Sequence, residues 1–143
     1  MHISFAVFAD AANLSQEGKL NVLGIFDALH VSAFPSLHPR AHFVVRVKGS
    51  TSDIGAHQLA FHWTNPHDTE LWTSSGELQV EAGPSAMEMD LPIIAVVDLP
   101  LDTPGQYTMR VVLDGEPVTG AKLFVNGPPA MLPFAGSQPG MIS

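Results

Sequence analysis

The side chains with the widest chemical range in this chain are its seven histidines. His57, His62 and His67 recur at intervals of five. On one strand that spacing sends neighbours to opposite faces, so His57 and His62 cannot share a metal without a bulge between them. His38 and His42 flank the start of another segment and meet His30 only if the tertiary structure brings them together. A zinc site needs three or four ligands converging at about 2 Å. No short run supplies them, and surface or turn histidines are the expectation.

Carboxylates come next, because loops of β proteins hold calcium through clustered carboxylates and carbonyls. Asp98 and Asp102 lie at one corner, Asp114 and Glu116 at a hairpin tip. About eight residues of strand, roughly 25 Å, separate the pairs, so they cannot form one site. Nucleophilic catalysis has no support, since there is no cysteine and no Gly-x-Ser-x-Gly elbow. A glycine-rich phosphate loop ahead of a helix is also missing, and no carboxylate spacing argues for acid–base work. The expectation is a non-enzyme without cofactor, metal or catalytic residue.

The aromatic residues give one alternative. Trp63 and Trp72, with His62 and His67, could form a sugar-stacking platform. Trp63 continues the inward series Leu59, Phe61 and reads as core; Trp72 is less constrained. Trp72, His67 and His38 are therefore the candidate residues of a small-ligand or carbohydrate-binding module, beside a proline-bounded loop from Phe34 to Pro39.

These residues must be held by short extended segments. The organising stretch is Asp98–Val125, DLPLDTPGQYTMRVVLDGEPVTGAKLFV. Pro104-Gly105 marks a turn. Tyr107, Met109, Val111 and Leu113 then share one face of a strand, and Asp114-Gly115 closes a hairpin. Leu101-x-x-Pro104-Gly105-x-Tyr107 resembles the tyrosine corner of immunoglobulin-like sandwiches, which makes Tyr107, Pro104, Gly105, Asp114 and Gly115 structural. A three-residue loop with Gly115 as bulge residue pairs odd positions with odd, turning Ala121, Leu123 and Val125 inward and Lys122 to water.

Further strands are expected in order. Ile3, Phe5 and Val7 alternate with Ser4 and Ala6, in a strand ending near Asp10. Leu20–Asp27 is apolar on both faces and reads as a central strand, which His30–Phe34 could continue after a kink. Ala41–Gly49 turns Phe43, Val45 and Val47 inward against His42, Arg46 and Lys48. His57–Thr64 follows, then a short segment at Glu70–Thr73, Glu77–Glu81, and Met87–Val97. The sum is an all-β, antiparallel, immunoglobulin-like Greek-key sandwich of eight or nine strands, with a barrel as the alternative. Residues 1–126 form this domain. The proline-rich tail 127–143 carries Met131, Leu132, Phe134 and Met141, and packs on its own domain or on a neighbouring subunit.

Composition narrows the partners. A chain of 143 residues with 45% hydrophobic content folds as one domain rather than staying disordered. The net charge of −8 lacks the cationic surface that nucleic acid or an anionic membrane requires. No apolar run approaches the roughly 20 residues of a membrane helix. The N-terminus shows no signal-peptide pattern. With no cysteine, cytoplasmic residence is the expectation.

The run Ala9-Asp10, then Gly18-Lys19-Leu20-Asn21-Val22-Leu23-Gly24-Ile25-Phe26-Asp27, resembles the opening of a family of small bacterial proteins defined only as a domain of unknown function. Phe34-Pro35-Ser36-Leu37-His38-Pro39, Val44-Val45-Arg46-Val47 and the Pro104-to-Gly115 corner and hairpin continue the likeness, which stops short of the tail. The resemblance implies a bacterial, intracellular sandwich with no functional residues to carry over. A non-enzymatic structural or protein-interaction module that self-associates is the leading expectation, with the small-ligand module second.

Overall fold

The computed structural model describes residues 1–82 and 88–128. Among the described residues nine strands run in order: β1 (His2–Leu14), β2 (Leu20–Phe26), β3 (Ala28–His30), β4 (Ser36–Gly49), β5 (Gly55–Thr64), β6 (Glu70–Val80), β7 (Met89–Leu101), β8 (Gly105–Leu113) and β9 (Glu116–Asn126). They form two sheets, ordered β2-β1-β4-β7 and β3-β9-β8-β5-β6. All ladders are antiparallel except β3 with β9, which is parallel. Among the described residues the only helical element is a short 3-10 turn, Thr51–Asp53, and no helix is long and apolar enough to cross a membrane.

The inner faces of the sheets close on one core. Phe43, Val45 and Val47 of β4 meet Phe61 and Trp63 of β5, Met109 and Val111 of β8, and Leu123 of β9. Each fully buried side chain of this size contributes about 1.5–3 kcal/mol. Aromatic contacts cross the interior: Phe43 meets Phe61 edge-on at 5.1 Å, and Trp63 stacks on Tyr107 at 5.2 Å. The inward series of β4, β5 and β8 are those expected from alternation.

Several expectations are corrected. β1 runs to Leu14, and a register shift between Ile3 and Phe5 moves its inward series from Ile3 to Ala6 and Phe8. β2 is an edge strand rather than a central one. The chain does not kink and continue after it; it leaves the first sheet at Asp27 and joins the second as β3. The Phe34–Pro39 stretch is largely strand. Phe34–Pro35 is cis, and Ser36, Leu37 and His38 pair with Leu101, Pro100 and Leu99. The two segments expected around Thr73 and Glu77 are the single strand β6.

The β8–β9 hairpin is right in pairing and different in mechanism. Tyr107 faces Leu123 and Met109 faces Ala121, so odd meets odd. The loop itself has two residues, with Leu113 paired to Glu116. Asp114 and Gly115 both take positive φ, 51° and 80°, the requirement of a type I′ turn whose twist matches the strands. Parity is restored by a shift between Val111 and Val112, opposite Pro117–Thr119. Proline, lacking an amide hydrogen, suits such an irregularity.

Candidate interaction surface

Tyr107 shows how the polar residues of the sequence are used. Its hydroxyl accepts from the backbone amides of Asp102 (2.9 Å) and Thr103 (3.0 Å) and has acceptors in the Thr103 carbonyl (2.7 Å) and Asp102 Oδ1 (2.9 Å). Burial pushes the phenol pKa up. The corner carboxylates are similarly engaged. Asp102 Oδ2 accepts from Asn65 Nδ2, and Asp98 Oδ1 accepts from the Arg40 amide.

At the other end of the sandwich Asp114 accepts from the Gln58 amide at 2.8 Å and pairs with His57 Nδ1 at 2.5 Å. His57 Nε2 lies 2.6 Å from the Asp53 carbonyl, and the Asp53 carboxylate lies 3.2 Å from the terminal amine of Met1. The bond to Asp114 raises the His57 pKa, aided by the Asp53 carbonyl; the bond to His57 lowers that of Asp114. This clasp ties the hairpin tip to the β4–β5 connection. His62 pairs with Glu70 at 2.6 Å on the outer side of the β5–β6 ladder. Among the described residues no three His, Asp or Glu side chains are placed to hold a metal ion.

The candidate ligand-binding residues stand on different elements. His38 packs its ring edge-on to Phe26 at 5.5 Å. His67 lies in the turn after β5, where its amide donates to Asn65 Oδ1. Trp72 is half-buried at the open side of the second sheet and donates its indole N–H to the Asp98 carbonyl at 3.1 Å. Trp63 is fully buried, with its N–H on the Pro100 carbonyl. The two indoles serve packing between the sheets.

A different surface stands out. On the outer face of the first sheet, Ile25, Ala9, His42 and Val96 align across the four strands, and Val7, Val44 and Ile94 form the next row. Leu23 continues the face beside Ala11. Leu23 is 65% exposed, Ile25 63% and Val96 53%, while Ala9 and Val44 between them are buried. The rows are apolar apart from His42. A charged rim follows at one end, where Arg46 and Lys48 pair with Asp90. An apolar centre with a polar rim is the anatomy of a protein interface.

The edge of this face is blunted. Gly24 in β2 has φ +69°, and a Cβ there would run into the Asp10 carboxylate. A left-handed residue in the middle of an edge strand interrupts the regular ladder that edge-to-edge pairing needs. The sequence held a signal for this surface, since Leu20–Asp27 is apolar on both faces. That pattern fits a covered central strand and an edge strand with an interface on its outer side equally well.

Fold and surface together define an all-β protein of two packed sheets with an apolar outer face. The chain belongs to a family of unknown function, DUF6941, whose model matches residues 4–126. This confirms the likeness carried by the opening residues and the corner, and the match ends where the proline-rich tail begins. No curated protein matches the chain.

Proposed function

We propose that this protein is a non-enzymatic interaction module that self-associates through the outer face of the β2-β1-β4-β7 sheet. The observation that supports it is the exposed apolar face of Leu23, Ile25 and Val96 around the covered Ala9 and Val44. Soluble chains rarely leave such a contiguous patch to water. A second copy is the occupant the charge favours. Two molecules of net charge −8 repel wherever their acidic surfaces meet, and the central rows of this face, from Ile25 to Val96 and from Val7 to Ile94, carry none of that charge. Two sheets pack face to face at about 10 Å, and a two-fold axis makes such a contact self-complementary. The left-handed Gly24 in β2 argues against the edge-to-edge alternative.

The finer reading of the fold, an immunoglobulin-like Greek-key sandwich, belongs to this proposal and is supported by the Tyr107 corner. So does a cytoplasmic, bacterial setting, supported by the cysteine-free composition and the family resemblance. Val96→Glu is the test. The position is exposed, so the fold survives, while a buried unpaired carboxylate weakens the dimer by at least about tenfold, or about 1.4 kcal/mol. Sedimentation equilibrium of both proteins reads the change; equal association constants would remove the face from the account.

A further inference from the structure

β3 covers only the end of β9, pairing Ala28, Leu29 and His30 with Phe124, Val125 and Asn126. From Glu116 to Leu123, β9 has β8 on one side and no strand on the other among the described residues. The pleat fixes which groups are free. The Phe124 amide donates to the Asp27 carbonyl and the Val31 amide to the Asn126 carbonyl, both at 2.8 Å. Even-numbered residues of this half of β9 therefore turn their backbone groups away from β8, so Gly120 and Lys122 offer N–H and C=O to the open side. An edge of this kind is a template for another strand, and the irregularity at Pro117 spoils only its start. Beside it lies a cleft of about 530 Å³ between the sheets, walled by Phe8, Ile25 and Phe26 of the first and Ala121 of the second.

We propose that this edge binds an extended segment of another protein, one that alternates apolar with acidic side chains, as an added strand on β9. On such a strand the residues opposite Gly120 and Lys122 share their outer face, and the residues between them turn into the cleft. The cleft side is apolar and sets the apolar positions. The outer side is cationic. Across the β8–β9 ladder Arg110 pairs with Gly120 and Lys122 with Thr108. Both cations are exposed, and among the described residues neither stands in an ion pair. Gly120 carries no side chain, so nothing in its row separates Arg110 from the open edge. Opposite and diagonal neighbours on a sheet lie within reach of long side chains, so a carboxylate opposite Gly120 is within reach of both cations. Asp27 bounds the cleft toward β3, where its carbonyl holds Phe124, which confines the acidic positions to Gly120 and Lys122. In a molecule of net charge −8, this local excess of positive charge selects the sign of the partner. A second copy is the poorer occupant, because pairing β9 with β9 about a two-fold axis sets Lys122 and Arg110 against their own counterparts. Strand addition to an open edge draws affinity from the backbone and selectivity from side-chain pockets.

The test is an NMR titration of the full-length chain with a short end-capped peptide alternating valine and glutamate, beside one alternating valine and lysine. The glutamate peptide shifts the Gly120 and Lys122 resonances and slows their amide exchange at least about tenfold at saturation. The Ala121 and Leu123 amides, bonded to β8, exchange slowly throughout. Lys122→Glu, a change at an exposed position, weakens binding of the glutamate peptide at least about fivefold and lets the lysine peptide bind. No response at Gly120 and Lys122 overturns the proposal, as does equal binding of the two peptides or an affinity that Lys122→Glu leaves unchanged. Slow exchange of these two amides before any peptide is added also overturns it, because the edge would then be filled already, by the chain itself or by a second copy. Both amides lie on the second sheet, apart from Val96, so the result is independent of self-association through the first.

Discussion

Tyr107 is where sequence, fold and energy meet most closely. Its ring is core and its hydroxyl satisfies two backbone amides, at Asp102 and Thr103. Tyr107→Phe keeps the ring and strands both donors, and is expected to cost about 1–3 kcal/mol, read by chemical denaturation. His57 and Asp114 make stability depend on pH. The raised His57 pKa means its contribution is complete below the ordinary value of 6.5 and is lost as pH rises through the raised one. The lowered Asp114 pKa means its contribution is complete above 3.8 and is lost as pH falls through the depressed one. The clasp is therefore strongest between those ordinary values, and thermal midpoints decline on either side. Asp114→Asn keeps a residue that tolerates positive φ and removes the charge, so the alkaline decline flattens. An unchanged alkaline limb would assign it to other groups.

At the scale of elements, alternation made most of the core legible. Phe43, Val45 and Val47 in β4, and Tyr107 to Leu113 in β8, are placed by period two alone. The elements misread are those where the period breaks. The shift after Ile3 reverses the faces of β1, and the Val111–Val112 shift restores a parity that a bulged loop was expected to set. Such shifts leave little trace in composition. β2 was misread for another reason: apolar residues on both faces report that both faces are covered or sticky, not by what. The hairpin carries a prediction of its own. Gly115 takes φ 80°, so Gly115→Val puts a β-branched side chain in the left-handed region and costs roughly 1–2 kcal/mol, measured by denaturant midpoint. No loss of stability would mean that the turn relaxes to the longer loop.

For the whole molecule, the candidate site was the least legible part. Trp72, His67 and His38 were singled out by residue type, yet each sits on a separate element with its own packing or turn partner. The outer face of the first sheet arises from rows such as Ile25, Ala9, His42 and Val96, drawn from four strands that are distant in the chain. Only the strand order creates it, and order is not written in any local pattern. The functional account rests on that face. Native mass spectrometry of the full chain across a concentration series tests it most directly. The account predicts a species of twice the chain mass that grows with concentration and carries no added mass. A monomer at every concentration, or one that retains a metal or an organic adduct, would contradict it.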